Sequence, residues 1–261
     1  MPELPEVELV RRQVKASALG RIIATVNVLD IGVLDEVSAE ELERALKGRA
    51  LTRTDRHGKQ LFFRIVKGAW LTVHLGMTGG MMFLEGGESP PPYSRVRLDF
   101  EDGGSLVFAD MRKFGAIGLT PSKASFLKRK RLGPDALAIE RGDFVDRAGR
   151  HRRPIKTVLL DQSVLAGVGN LYSDEVLYQC GVHPLALADG LGEDRLGCIH
   201  RNLALVLRSS LDVGTDFDRL PEGYMLRDRH PSSPCPKGHG PWHMMKVNGR
   251  TAYFCPQCQR L

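Results

Sequence analysis

Residues 154–175 read PIKTVLLDQSVLAGVGNLYSDE, two helix-period runs separated by a short segment that holds Gly167 and Gly169. The glycines allow a tight turn and a close backbone approach. Asn170 stands where a capping residue would open the second helix, whose free N–H groups favour an anion. Helix, glycine turn and helix also occur as plain scaffolding, so this stretch fixes architecture before it says anything of function. The residues on its two sides decide between those uses.

Upstream, the apolar period is that of strands. Ile22–Leu29, Leu51–Asp55, Gln60–Val66, Ala69–Leu75, Arg95–Phe100, Ser105–Phe108 and Phe114–Leu119 are short β-rich runs, separated by turn formers such as Lys67-Gly68 and Asp102-Gly103-Gly104. Such density predicts a β-sandwich or barrel. A helix precedes the strands, with Val7, Val10 and Val14 at helical spacing and Gly20 as its stop, and Ser38 with Glu41 forms a capping-box pattern for another. Downstream, Ile155–Gln162, Leu171–Cys180 and Arg195–Leu211 have helical period, and a Pro/Gly/Asp-rich loop covers 213–233. The fold class is therefore α+β: an N-terminal β-sandwich domain over 1–132 with its N-terminal helix, a charged linker over 133–153, a helical domain over 154–230, and a Cys-rich β-hairpin over 231–261.

The hairpin points to a metal. Cys255-Pro-Gln-Cys258 is a CxxC pair, Cys235 lies upstream, and Asn248-Gly249 marks a tight turn between them. Two ligands from each end of a hairpin suit one closed, tetrahedral, structural Zn²⁺. His239 is expected as the fourth ligand, with His243 the alternative. The five cysteines are odd in number, and the remaining two, Cys180 and Cys198, are expected as buried helix residues. This usage fits a reducing, cytoplasmic compartment rather than a disulfide framework.

The 261 residues carry 37 Lys plus Arg against 31 Asp plus Glu, a net charge of +6, with 42% hydrophobic residues. That composition fits a globular chain large enough for a sizeable core. No apolar run reaches the roughly 18 residues of a bilayer-spanning helix, and early carboxylates replace the basic start of a signal peptide. The excess charge is mild but concentrated: Lys128–Arg131 is an unbroken basic run, and Arg147, Arg150, Arg152, Arg153 and Lys156 lead into the opening stretch. At the other end, MPELPEVE places Pro2 behind Met1. Once Met1 is removed, Pro2 presents a secondary amine able to attack an electrophilic carbon and form an iminium, with Glu3 beside it.

Together the motifs resemble those of the Fpg/Nei family of DNA glycosylases with lyase activity, the formamidopyrimidine branch in particular. PELPEVE, HGKQLFF around Lys59, HLGMTG around Met77, DMRKFG around Arg112, the PIK…LLDQ…AGVGNLYSDE…GVHP segment and GRTAYFCPQCQ occur in the family's order across the whole chain. The resemblance implies Pro2 as the nucleophile at C1′ of a damaged nucleoside and Glu3 as the acid that protonates the sugar. It implies Lys59, Asn170 and Arg250 as phosphate contacts, with Glu6 and Glu175 as supporting carboxylates. Met77, Arg112 and Phe114 match a trio that fills the void left by a flipped base, and Tyr93, His151 and Lys156 are further expected DNA contacts. Leu4, where the Nei branch tends to have glycine, and the complete trio favour the formamidopyrimidine branch. The partner expected is double-stranded DNA carrying a damaged base, bound by a monomer.

Two departures stand out. The family's second zinc cysteine would fall at Gly238, and His239 follows instead, which predicts a Cys3His site of Cys235, His239, Cys255 and Cys258. The segment Gly214–Arg229 looks short for a loop that closes over 8-oxoguanine, so formamidopyrimidines, hydantoins and oxidised pyrimidines remain expected substrates as well. A non-catalytic binder of the same fold would need neither Pro2 nor Glu3. A zinc-ribbon regulator acting on RNA or protein would not need the trio.

Overall fold

A computed structural model describes residues 1–261, which divide into two compact units, Met1–Lys130 and Arg131–Leu261. The first unit opens with α1 (Leu4–Ser17), which starts early because Glu3 and Glu6 form a capping box and Pro5, within its first turn, lacks only an N–H that would have no helical partner. Nine strands follow: β1 (Ile23–Val28), β2 (Leu34–Asp35), β3 (Leu51–His57), β4 (Gln60–Ile65), β5 (Trp70–His74), β6 (Gly80–Leu84), β7 (Ser94–Phe100), β8 (Ser105–Ala109) and β9 (Ala116–Thr120). They form one sheet in the order β1-β7-β8-β6 and another in the order β2-β9-β5-β4-β3, antiparallel except for the short β2–β9 pair. Alternating side chains of both sheets, including Leu61, Phe63, Val73, Val96, Leu98, Leu106 and Phe108, bury a common core with Val7 and Val14 of α1. Two helices complete the unit, α2 (Ala39–Leu46), held by the reciprocal Ser38/Glu41 capping box, and α3 (Lys123–Arg129).

Several sequence expectations shift here. Strand β6 runs through GMMFL, where glycine and methionine masked a strand whose register with β8 is regular from Gly80↔Ala109 to Leu84↔Ser105. The last strand begins at Ala116 and leaves Phe114 outside it, in an exposed turn. The Lys128–Arg131 run is partly an anchor: Lys130 pairs with Asp35 at 2.9 Å and Arg129 with Glu36.

The second unit holds α4 (Arg141–Gly149), α5 (Ile155–Leu160), α6 (Asn170–Gln179), α7 (Gly192–Asp212) and a hairpin of β10 (His243–Val247) and β11 (Arg250–Phe254). Helix α4 lies within 133–153, so that stretch is not the linker the sequence led us to expect. Its charged residues face water while Phe144 and Ala148 are buried, with Phe144 against His200 of α7. A segment this polar hides a helix because only two apolar side chains seat it. The Cys-rich hairpin is likewise no separate body: Cys235, Trp242 and Cys255 pack with Tyr178 of α6 and Met225 in one apolar cluster. No helix is long and apolar enough to cross a membrane.

Candidate functional site

The N-terminal unit fixes its leader through α1. Glu8 is bound by Arg11 and Arg12, and Arg11 Nη1 donates to Thr54 Oγ1 of β3 at 2.8 Å while Arg56 Nε lies 3.4 Å from Glu8. Burial alone would raise the Glu8 carboxyl, but these hydrogen bonds and charges hold it down at about 2. The consequence is positional: α1 is locked to β3, the strand whose turn into β4 carries Gly58 and Lys59. At the other end of α1, Glu3 is 1% exposed and serves as N-cap, its N–H donating to Glu6 at 2.8 Å, with Pro2 half-buried immediately before it. His74, paired across from Gln60, is held below the usual imidazole value by burial and then by the Lys59 charge.

Met77, Arg112 and Phe114 come from two turns, β5–β6 and β8–β9, that touch. Gly76, at φ +64°, lies so close to 114–115 that an added Cβ would sit 2.4 Å from Gly115 N, which only glycine permits. Asp110 clips the turns together: its carboxylate accepts from Thr78 Oγ1 at 2.5 Å, Arg112 N at 3.1 Å and Gly115 N at 2.7 Å. Burial opposes ionisation of Asp110, yet these donors hold its pKa below the ordinary value. Lys113 and Arg95 both reach Asp30, at 2.6 and 3.2 Å, and Arg95 also donates to the Asp110 carbonyl. Upon this frame Met77 is 38% and Phe114 56% exposed, with the Arg112 guanidinium 4.9 Å from the Phe114 ring centroid. Two exposed apolar side chains and an arginine thus stand on rigidly braced turns. Tyr93 is exposed next to this frame, its carbonyl accepting from Asp110 N at 3.0 Å.

In the second unit the opening stretch folds through two polar side chains. Asp161 accepts from Ser163 N and Oγ and from Arg153, and Gln162 spans the turn, accepting from Gly167 N at 2.9 Å and donating to the Leu160 and Val168 carbonyls. The cap of α6 is Gly169, at φ −132°, and Asn170 is the first helical residue, contrary to the capping role expected from sequence. Its Nδ2 instead donates to Thr251 O of β11 at 3.0 Å, because the hairpin packs over the start of α6 and offers a carbonyl there. The amide's second N–H is not used by that bond.

Lys156 also departs from expectation. It is fully buried, ion-paired with Asp174 and donating to Ser173 Oγ at 3.2 Å, so it stands inside the fold rather than at a DNA contact. The cause is Asp174, a carboxylate with no exposure that requires buried counter-charges. Arg229 supplies another from the 225–229 turn, its guanidinium 4.0 Å from the Tyr253 ring centroid, and Tyr253 N donates to Asp174 at 3.1 Å. Asp174 thus joins α5, α6, the 225–229 turn and β11. Sequence reading passed over it; its signal was an acid among apolar neighbours of α6. Of the basic cluster, Arg147, Arg150 and Arg152 are exposed, while Arg153 binds Asp161 and approaches His151 Nδ1 at 3.3 Å. The 214–229 segment is firmly seated: Leu226 N donates to Glu175 at 2.8 Å, Tyr224 OH to Ser209 Oγ at 3.1 Å, and Met225 is fully buried.

At the hairpin base, Cys235, His239, Cys255 and Cys258 present four donor atoms within 4.8 Å of one another. His239 Nδ1 lies 4.0, 3.7 and 3.2 Å from the three sulfurs, and Cys235 Sγ lies 3.8 Å from Cys258 Sγ. A tetrahedral ion with ligands at about 2.3 Å would space its donors about 3.8 Å apart, so the set fits a closed Zn²⁺ site. His243 is exposed on β10 with its ring near Phe254, outside the cluster. Tyr178 OH lies 3.3 Å from Cys235 Sγ, the outer-shell donor a thiolate ligand needs. From the base, the hairpin runs to Asn248 and Gly249, both at positive φ, and exposes Arg250 at its tip.

Comparison with known proteins agrees in both units. Residues 1–117 match the formamidopyrimidine-DNA glycosylase N-terminal domain and 132–220 the formamidopyrimidine-DNA glycosylase H2TH domain. Formamidopyrimidine-DNA glycosylases of Chloroflexus aggregans and Pelobacter propionicus are 32% and 34% identical over 100% of this chain, covering 99% and 100% of their own lengths. Among solved structures, the Lactococcus lactis enzyme non-covalently bound to AP-site DNA has a TM-score of 0.91 at 27% identity over 99% of this chain and 100% of its own. The same enzyme with FAPY-dG DNA has a TM-score of 0.90 at 27% identity, with the same coverage. With its sandwich, its H2TH turn and its Cys/His hairpin each in place, the chain belongs to the Fpg/Nei family of DNA glycosylases.

Proposed function

We propose that this chain excises oxidised bases from duplex DNA and then cleaves the abasic site it has made. The observation that carries the reading is the display of Met77, Arg112 and Phe114, exposed together on turns clipped by Asp110. Chemistry at C1′ requires the nucleotide to leave the stack, and an apolar wedge, an aromatic and an arginine compensate the void and the orphaned base. With Met1 removed, the Pro2 amine attacks C1′ while Glu3 protonates the sugar as the glycosidic bond breaks. The resulting imine acidifies the neighbouring C–H, and elimination of the 3′ and then the 5′ phosphate leaves a one-nucleotide gap. Lys59, Arg250 and the start of α6 at Asn170 take the phosphates, with Tyr93 and His151 as flanking contacts. One Zn²⁺ held by Cys235, His239, Cys255 and Cys258 would be structural, since four protein ligands leave no open position. The protein acts as a monomer in the cytoplasm, on 8-oxoguanine, formamidopyrimidine, hydantoin or oxidised-pyrimidine lesions.

Borohydride trapping on a duplex with an abasic site tests the mechanism. Wild-type protein, with Met1 removal verified by N-terminal mass, gives a covalent adduct that Pro2→Gly abolishes. No adduct from processed protein would leave a non-catalytic binder of the same fold, and an adduct undiminished by Pro2→Gly would place the nucleophile elsewhere. A duplex panel with the four lesion classes, scored for base release separately from strand cleavage, then ranks substrates.

A further inference from the structure

Two cysteines that the metal site does not use meet in the helical unit. Cys180 closes α6 and Cys198 lies within α7, and their sulfurs are 2.9 Å apart, with Cys198 donating to Cys180. That is about an ångström beyond a disulfide bond. Asn202, one turn along α7 from Cys198, donates to Cys180 Sγ at 3.3 Å and to the Cys198 carbonyl at 3.0 Å, so both helices are held in this register. Both thiols are free and partly exposed, within reach of a small oxidant. We propose that Cys180 and Cys198 form a reversible disulfide under peroxide or a disulfide oxidant, making this pair a redox modification site distinct from the metal cluster.

With peroxide, one thiolate attacks a peroxide oxygen, breaking the O–O bond to give a sulfenic acid and hydroxide. The second sulfur then displaces the sulfenic oxygen, which leaves with a proton as water. Two thiols and one peroxide become one disulfide and two waters. Burial, with the Cys198 sulfur alongside, pushes the Cys180 thiol up, so attack by Cys180 on the oxidant is slow, whereas closure of the disulfide is intramolecular between sulfurs already in contact. The structural consequence follows from the next two residues. An added Cβ on Gly181 would lie 3.1 Å from Cys258 O, and Val182 accepts from Gln259 Nε2 at 2.9 Å, so the residues after Cys180 are the floor beneath the Cys255–Cys258 knuckle. The disulfide would bolt α7 to that floor.

The test treats the full-length, metal-loaded protein with hydrogen peroxide, then denatures it with chelator and alkylates it, with intact mass and peptide mapping. The expected product has three alkylated thiols, a mass lower by about 2 Da before alkylation and a Cys180–Cys198 cross-linked peptide. It reverts with dithiothreitol, is absent in Cys198→Ser and in Cys180→Ser, and melts a few degrees higher than the reduced protein, roughly as a loop of this size predicts. Metal release, followed with a chromophoric chelator, should lag behind it. Cys180 and Cys198 remaining alkylatable while metal cysteines oxidise would overturn the proposal, as would separate sulfinic acids on the two residues without a cross-link. The wild-type map decides the matter even where a serine variant folds poorly.

Discussion

Glu175 offers the sharpest quantitative test of how the helical unit is built. Its carboxyl has no exposure, accepts from Leu226 N at 2.8 Å and Gln179 Nε2 at 2.7 Å, and lies beside Asp174. Burial outweighs those hydrogen bonds, and the pKa rises from 4.5 to about 7. The folded state therefore binds the proton more tightly than the unfolded one. The stabilisation is fully present below the unfolded value and is lost as pH climbs through 7. A shift of this size corresponds to about 3 kcal/mol, of which roughly 2 to 3 kcal/mol disappears between about pH 5 and about pH 8.5. Glu175→Gln keeps an acceptor for Leu226 N, and Gln179 can turn its amide oxygen toward the new NH2. The variant should match wild type at the acid end and exceed it by that margin at the alkaline end. Urea denaturation of both proteins across this range reads the difference directly. A gap between them that does not change with pH would refute the reasoning, because it would mean that Glu175 titrates alike in the folded and unfolded chains.

Asp110→Asn replaces an acceptor of three donors with a group that must present an N–H to one of them, and should cost about 2 to 4 kcal/mol; wild-type urea stability together with wild-type affinity for an abasic duplex would count against the clip. Because the Asp110 pKa is depressed, its stabilisation is present above the unfolded carboxyl value and fades as pH falls through the folded one, which acid titration of the unfolding midpoint should show. His239→Ala should lower zinc content measured by metal analysis while His243→Ala keeps it, and the opposite result would reverse the ligand assignment. Lys59→Ala should weaken binding to every duplex and reduce the slope of log K against log salt by about 0.9; an unchanged slope would argue against a phosphate contact.

Local rules made much of this fold legible. The Ser38/Glu41 box, the Asn248-Gly249 turn and the strand periods act over a few residues, so sequence shows them. The CxxC pair with Cys235 likewise announced a cluster, and His239 sits in it. What escaped was set by partners distant in the chain. Lys156 read as surface charge because Asp174 is eighteen residues on, and a buried counter-ion leaves no local trace. Helix α4 read as linker because its seat is α7, and Asn170 read as a cap because Thr251 arrives from a hairpin 81 residues later. Asp110 stood within a quoted motif, yet its acceptor role appears only when the β5–β6 turn comes alongside.

The hairpin of β10 and β11 is held at two places: at its base by the Cys/His cluster, and along β11 where Thr251 and Tyr253 meet Asn170, Arg229 and Asp174. Such an arm is a beam with fixed supports, and only the exposed tip from Asn248 to Arg250, beyond the buried Val247, is free to bend. The reach of Arg250 is therefore a matter of strand length more than of flexing. Lengthening each strand by one residue beyond Thr251 would carry the guanidinium about 3.4 Å further out and turn it to the opposite face. An arm of this kind is tuned by counting residues, in steps too coarse to pass unnoticed.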